Sequence, residues 1–351
     1  MKPTIYDIAN KANVSKSTVS RFLNNNPNIS TKKRNQIQKA IEELNYQPSK
    51  IARGLSSGFD AILVISRSTD TTKNNPFFSE ILHVISRYSE EEDYDVILQT
   101  SQDDVEEIKR CIAKTASKIV KGIIMLSSPS DSHYFREIDN LNIPTVVIGK
   151  VDGDYSNIYS VDTNNFSDSY NLVQYMVDLG HKHIACLYSP QEYNVSIDRL
   201  EGYKKCLIDN NLPLREEYMI NCGFTMAEAY QNSQQLFQAN PLPTAIFATD
   251  DLKLLSLYKT LDERGISTPS DILIGGYSNT DITSFLFPSI IQIENPTHEL
   301  GKVATTQLFN AITNTDEIER TVIIPTTRSV EGSKYKSHTF SNKKINSKIS
   351  K

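Results

Sequence analysis

A chain of 351 residues, 38% hydrophobic and 23% charged, holds ample material for packed cores and is too long for one domain of ordinary size. Its net charge of −5 conceals a division: residues 1–58 carry ten Lys and Arg against three acids, and the remainder carries 27 basic against 39 acidic residues. A basic end on an acidic body is the footprint of a polyanion-binding module attached to something else. No window approaches the ~18 apolar residues of a membrane span, and the start of the chain lacks an apolar leader. The expectation is a cytoplasmic protein with no membrane partner. Cys111, Cys186, Cys206 and Cys222 form no C-x-x-C and have no histidine at metal spacing, so they read as buried free thiols.

The first element is the stretch TIYDIANKANVSKSTVSRFLN. Ile5, Ile8, Ala9 and Ala12 recur at helical spacing, with Thr4 placed to cap the free N–H groups ahead of them. Asn13 suits a left-handed residue at the turn, and Val14 can plug the joint. Ser15 caps a second helix whose buried face is Val19, Phe22 and Leu23, leaving Lys16, Ser17, Ser20 and Arg21 outside. Two short helices of this kind fit a helix-turn-helix that presents its second helix to the major groove, although an ordinary surface αα-hairpin has the same periodicity. A third helix opens at Ser30 and Thr31, with Ile37, Ala40, Ile41 and Leu44 inward. Lys32, Lys33 and Arg34 oppose its dipole in the first turn, a conflict that a nearby phosphate would relieve, although a merely solvated surface is equally allowed.

Pro48 to Leu55 carries Ile51, Ala52 and Leu55 on one face but is too short, at under ~12 residues, to hold a helix alone in water, and Gly54 weakens it further. It reads as a linker that becomes helical only when packed. From Ala61 onward the pattern changes. Short apolar runs (AILVIS, DVILQTS, GIIMLSS, TVVIGK) alternate with helical stretches at 76–91, 105–118 and 133–141. A second round, HIACLYS, AIFATD and DILIGGYS, alternates with helices at 165–179, 198–210 and 252–265. This is the signature of βαβ units, here two α/β domains in series. A final segment (Ile290–Ile293, a helix at 297–312, TVIIP) is too short for a third domain and completes both. Residues 335–351 read as a disordered basic tail.

The letters I-Y-D-I-A-x-x-A-x-V-S-x-x-T-V-S-R-x-L-N resemble the headpiece of the lactose-repressor (LacI/GalR) family, and ISTKKRNQIQKAIEELNYQPSKIARGL continues the likeness. NPFFSEIL, VDTNN, GHKHIACLYSP, RLEGY, ATDD and GGYSN extend it through the body. The resemblance implies an α/β fold class: a helix-turn-helix headpiece at 1–46, a hinge helix at 47–58, and a periplasmic-binding-protein-like body of two doubly wound subdomains at 59–334. The N-subdomain would take about 59–160 and 290–324, the C-subdomain about 161–289 and 325–334, with crossovers near Tyr159–Asp162, Pro288–Ile291 and Pro325.

It further implies a homodimer on a pseudo-palindromic operator. Lys16, Ser17 and Arg21 would read base edges, Thr4, Tyr6, Ser15 and Ser20 would position phosphates, and Thr18 and Asn24 would complete the DNA face. Leu55 would wedge into the minor groove beside Ala52. The family's usual Asn after the hinge proline is Ser49 here. In the body, Arg199 of R-x-x-G-[YFW] would be the main contact to a small sugar-like effector. Thr249, Asp250 and Ser278 stand at strand ends and Asn75, Phe77 and Phe78 follow the first strand, where an aromatic can stack on a sugar face. Many relatives carry Asn and Asp where this chain has Thr249 and Ser278. Within the family, G-Y-S-N and I-G-K look most like maltose-operon repressors.

No P-loop, G-x-S-x-G, H-E-x-x-H or G-x-G-x-x-G after a strand occurs, and His181 and His183 lack companion ligands, so neither an enzyme nor a metal or other cofactor is expected. A regulator that needs a protein corepressor, and a transporter's solute-binding protein, remain the alternatives. The basic headpiece argues against the second.

Overall fold

The computed structural model describes residues 3–23, 29–44, 46, 60–68, 72, 75–100, 104–116, 119–279, 286, 290–314 and 318–330. The chain divides into two units, Met1–Phe59 and Asp60–Lys351. Asn24, the 47–58 hinge with Ser49, Ala52 and Leu55, and the 335–351 tail lie outside the described residues.

In the first unit, helices α1 (Ile5–Lys11), α2 (Lys16–Leu23) and α3 (Thr31–Glu43) enclose one small core. Ile8, Ala9, Ala12, Val19, Ile37 and Ala40 are buried there, with Ile5, Val14, Phe22, Leu23, Ile41 and Leu44 packed around them. These are the positions that the 3.6-residue period selects. Asn13 takes φ +52°, the left-handed turn that lets α2 leave α1 at once. Ser15 Oγ accepts from the Thr18 N–H at 3.2 Å, so the second helix is capped as its sequence predicts. Thr4 behaves differently. Its hydroxyl donates to the Asp7 carboxylate, which also takes the Thr4 N–H, each at 2.7 Å. Those bonds hold Asp7 below the usual carboxylate range.

The second unit contains two six-stranded sheets. The first comprises β1 (Ala61–Ser66), β2 (Asp95–Thr100), β3 (Val120–Met125), β4 (Thr145–Ile148), β5 (Ile158–Asp162) and β11 (Thr321–Ile323), in the order β11-β5-β4-β3-β1-β2. The second comprises β6 (Ile184–Tyr188), β7 (Met219–Asn221), β8 (Ala245–Ala248), β9 (Leu273–Tyr277), β10 (Ile291–Glu294) and β12 (Thr327–Val330), in the order β12-β10-β9-β8-β6-β7. Pairing is parallel except between β10 and β12. Both faces of each sheet are covered, which is why the strands read as unbroken apolar runs. Along β1, Ile62 and Val64 enter one core while Leu63 and Ile65 enter the other. Along β8, Ala245 and Phe247 oppose Ile246 and Ala248 in the same way.

The helices of the body are α4 (Pro76–Glu91), α5 (Asp104–Thr115), α6 (Ser132–Asp139), α7 (Asn165–Asp178), α8 (Asn194–Asp209), α9 (Met226–Ser233), α10 (Asp251–Glu263) and α11 (Thr297–Thr313). Two helices and one crossover differ from expectation in ways that matter. α8 begins at Asn194, a full turn before Asp198, because the Ser196 and Ile197 N–H groups bond back to the Tyr193 carbonyl. Arg199 is therefore in the second turn and not at the helix start. α9 was not foreseen, although Thr225 and Glu228 form a capping box ahead of it. The second crossover also moves. Ile291 and Ile293 pair with Gly275 and Tyr277 of β9, so β10 completes the second sheet, whereas α11 packs on the first through Leu300, Ala304 and Leu308. The crossing thus falls at Asn295–Pro296, after the 288–291 expected, and 290–294 belongs with the second sheet.

Candidate functional site

The headpiece presents a polar face along α2. Lys16, Ser17 and Arg21 are exposed, Thr18 and Ser20 half-buried. Among the described residues neither Lys16 nor Arg21 forms an ion pair. Tyr6 is 60% exposed, and Lys16 Nζ donates to its hydroxyl at 3.2 Å while lying 4.6 Å from the ring centroid. Ser15, exposed, meets the Ser17 and Thr18 hydroxyls at 2.8 Å each, gathering three hydroxyls at the N-terminus of α2. A helix N-terminus with a cluster of exposed hydroxyls beside cations that form no ion pair is an arrangement that can hold phosphate oxygens. Thr4 is exposed but spends its hydroxyl on Asp7.

The second site is the cleft where the C-terminal strand ends of the two sheets converge, as open parallel sheets dictate. Its interior volume is about 100 Å³, with a mouth open to solvent. The strand ends supply the lining: Arg67 after β1, Leu126–Ser128 after β3, Gly149 after β4, Asp162 and Thr163 from β5, Ser189 after β6, Thr249–Asp251 after β8, and Tyr277 and Asn279 from β9. α8 adds Ser196 and Arg199, and α4 brings Asn75, Phe77 and Phe78.

Arg199 is buried and tightly held. Its Nε donates to Asn165 Oδ1 at 2.8 Å, its Nη1 to the Thr249 carbonyl at 2.5 Å, and its guanidinium stacks 3.4 Å from the Tyr277 centroid. Among the described residues nothing accepts from Nη2. The glycine of R-L-E-G-Y explains how α8 comes so close: a Cβ on Gly202 would collide with the Phe166 carbonyl of α7. Asp250 lines the cleft but is already committed. It accepts from Lys253 Nζ at 2.7 Å, the Lys253 N–H at 3.2 Å and Ser189 Oγ at 3.1 Å. Burial would raise its pKa, but Lys253 outweighs that and holds it below the usual value. Asp162 is pushed up to about 7 by burial, against the opposing Thr163 N–H and Arg199 cation. Asp251 rises to about 6 for the same first reason, against the Asn279 N–H that it accepts.

Of the sequence-predicted cleft residues, Arg199, Thr249, Asp250, Asn75, Phe77 and Phe78 come together in the lining. Ser278 does not. It is fully buried, flanked by Tyr277 and Asn279, which do line the cleft. Asn75 Oδ1 caps α4 by accepting the Phe77 N–H, and Phe78 is mostly core. Asn279, which follows Ser278 at the same strand end, does line the cleft; Arg67, Asp162, Asn165 and Tyr277 join it with no sequence expectation behind them, although Asp162 and Asn165 sit in the V-D-T-N-N letters. Among the described residues no group of three His, Cys, Asp or Glu could hold a metal, and no helix is long and apolar enough to cross a membrane. The four cysteines are free and buried.

A helix-turn-helix followed by two sheets around a polar cleft defines a DNA-binding regulator with a ligand-binding body. Residues 4–49 match the model of bacterial regulatory proteins of the lacI family, and residues 173–333 that of the periplasmic binding protein-like domain. The HTH-type transcriptional repressor PurR of Erwinia tasmaniensis is 30% identical over 342 residues, covering 95% of this chain and 99% of that protein. The chain belongs to the LacI family and is a DNA-binding transcriptional repressor, not an enzyme. The ribose operon repressor of Haemophilus influenzae is 28% identical, covering 92% of this chain and 96% of its own. The lac repressor dimer bound to operator and the anti-inducer ONPF shares the fold, with TM-score 0.80 at 23% identity over 94% of this chain and 98% of that one.

Proposed function

We propose that the protein acts in the cytoplasm as a homodimeric repressor of carbohydrate-utilisation genes, controlled by a small sugar-like effector in the cleft. The observation that carries this reading is Arg199: a buried guanidinium in the cleft lining, held by Asn165, the Thr249 carbonyl and the Tyr277 ring. A planar fork held in this way suits a pair of sugar hydroxyls or an anion. In the headpiece, Lys16, Ser17 and Arg21 read base edges, with Arg or Lys favouring guanine, while Tyr6, Ser15 and Ser20 position phosphates. Leu55 and Ala52 carry the minor-groove contact, and two-fold symmetry calls for a pseudo-palindromic operator. The regulon is that of maltose or maltodextrin, supported by the letters Gly276–Asn279 and Ile148–Lys150.

The test selects duplexes from a random pool with the full-length chain, then titrates the selected operator with mono- and disaccharides and their phosphates. The expected outcome is a pseudo-palindromic site whose affinity changes with one sugar class, the change being lost in Arg199→Ala while DNA binding persists. Recovery of no preferred sequence would overturn the headpiece roles. A sugar response intact in Arg199→Ala would overturn the cleft assignment.

A further inference from the structure

Arg67 is the second arginine of the cleft and comes from the opposite sheet. It follows β1, whereas Arg199 stands on α8 beside the second sheet. Its guanidinium lies 3.4 Å from the Tyr193 ring centroid, with Phe224 at 5.5 Å and Phe78 at 5.6 Å. Aromatic rings cover the faces of a guanidinium but accept none of its in-plane hydrogens. Arg67 Nε is accordingly buried with no hydrogen-bond partner, and among the described residues Arg67 has no ion pair.

The acids around it are spent elsewhere. Asp250 is held by Lys253 and Ser189. Asp251 accepts the Asn279 N–H, and Asp162 accepts from the Thr163 N–H and from Asn165. Glu192 is exposed. Burial brings Arg67 down to about 10 against the opposing effects of Tyr193, Asp250 and Glu192, with the Arg199 cation adding to the fall, so it stays charged at neutral pH. The buried Nε donor requires an acceptor, and the charge of this half-buried guanidinium favours one that carries a counter-charge. A sugar hydroxyl meets the first requirement only. A phosphate or carboxylate oxygen meets both, and does so in the geometry that a guanidinium fork favours.

We propose that Arg67 is the acid-reading residue of the cleft, and that the effector is a sugar bearing a phosphate or carboxylate group held between Arg67 and Arg199. This rests on the sugar-effector reading above and specifies its chemical class. Stacking on Tyr193 fixes the guanidinium plane in advance, so the ligand acid meets an oriented fork.

The test is calorimetric titration of the full-length protein with matched pairs: glucose against glucose 6-phosphate, glucose against glucuronate, and maltose against maltose 6′-phosphate. The acidic member of at least one pair is expected to bind about ten- to a hundredfold more tightly than the neutral one. Preference for the phosphate or for the carboxylate identifies which acid the site takes. Arg67→Gln is expected to weaken the acidic member far more than the neutral one, so that the ratio between them collapses, and Arg67→Lys restores part of that ratio. A neutral sugar that binds as tightly as its acid, or a preference unchanged in Arg67→Gln, overturns the proposal. The wild-type ratio decides the matter even if the variant fails to fold. Binding of no sugar in either form would instead remove the sugar-effector reading itself, and this proposal with it.

Discussion

Two lysine–carboxylate pairs of nearly equal length sit in the two units. Lys11 and Glu43 meet at 2.9 Å with 46% and 43% of their side chains exposed. Lys253 and Asp250 meet at 2.7 Å with 1% and 22% exposed. The first pair ties α1 to α3 in full contact with water. The second lies at the wall of the cleft, with Lys253 fully buried and Asp250 mostly withdrawn from water. The headpiece keeps its charges solvated, and those of its α2 face unpaired, as a surface built to exchange water for phosphates must. Where the body does withdraw a charge from water, as at Lys253 and Asp250, it pairs it. Distance alone does not rank the two pairs; burial does.

The sharpest break of this contrast is Lys253→Met. It leaves Asp250 desolvated with only Ser189 and a backbone N–H, a loss of about 3–5 kcal/mol in the body by urea unfolding. Adding Asp250→Asn to the same chain should recover a large part, because the orphaned charge goes with it. A single variant within about 1 kcal/mol of wild type would show that water reaches Asp250 and that the two pairs are alike after all.

Asp162 gives the next largest effect. Burial raises its folded pKa from 3.8 to about 7. The folded state therefore holds a proton that the unfolded state has lost between those two values, and the stability that this group allows falls as pH rises across that window. Between pH 5 and pH 8 the body should lose roughly 2 kcal/mol through this carboxyl. Asp162→Asn preserves the acceptor for Thr163 and Asn165 and should flatten that dependence, giving a variant more stable than wild type at pH 8 and equal to it near pH 4. Parallel pH profiles for the two proteins would place the titration elsewhere.

The same contrast explains what could be read in advance. Headpiece burial is local: Ile8, Ala12, Val19, Ile37 and Ala40 are separated by helical turns, so periodicity alone points them inward. Strand ends were also legible, which brought Thr249 and Asp250 into the lining. What failed was whatever depends on the partner across space. Arg67 follows a strand without any motif, and its meaning comes from Tyr193 and Phe224, far along the chain. Ser278 follows Tyr277 by one residue, and it is the tyrosine that faces Arg199. The run Ile291–Glu294 is plainly a strand, but only its register against Gly275 and Tyr277 assigns it to the second sheet. Asp162 reads as an ordinary acid until burial is known.

The smallest effect closes the comparison from the other side. Glu43→Gln breaks the Lys11 pair and a weaker contact with Lys39 at 3.9 Å, both in solvent. The Lys11 bond and charge hold Glu43 below the usual carboxylate value, yet the pair faces water and mobile ions on every open side. Amide exchange of α1 and α3 in the full-length protein should be unchanged by the substitution at about 0.15 M salt. Lowering the salt should reveal at most a slight loosening. A clear loss of protection at the higher salt would mean that the headpiece shields this pair as the body shields Lys253 and Asp250. The burial argument that separates the two units would then fail at its simplest instance.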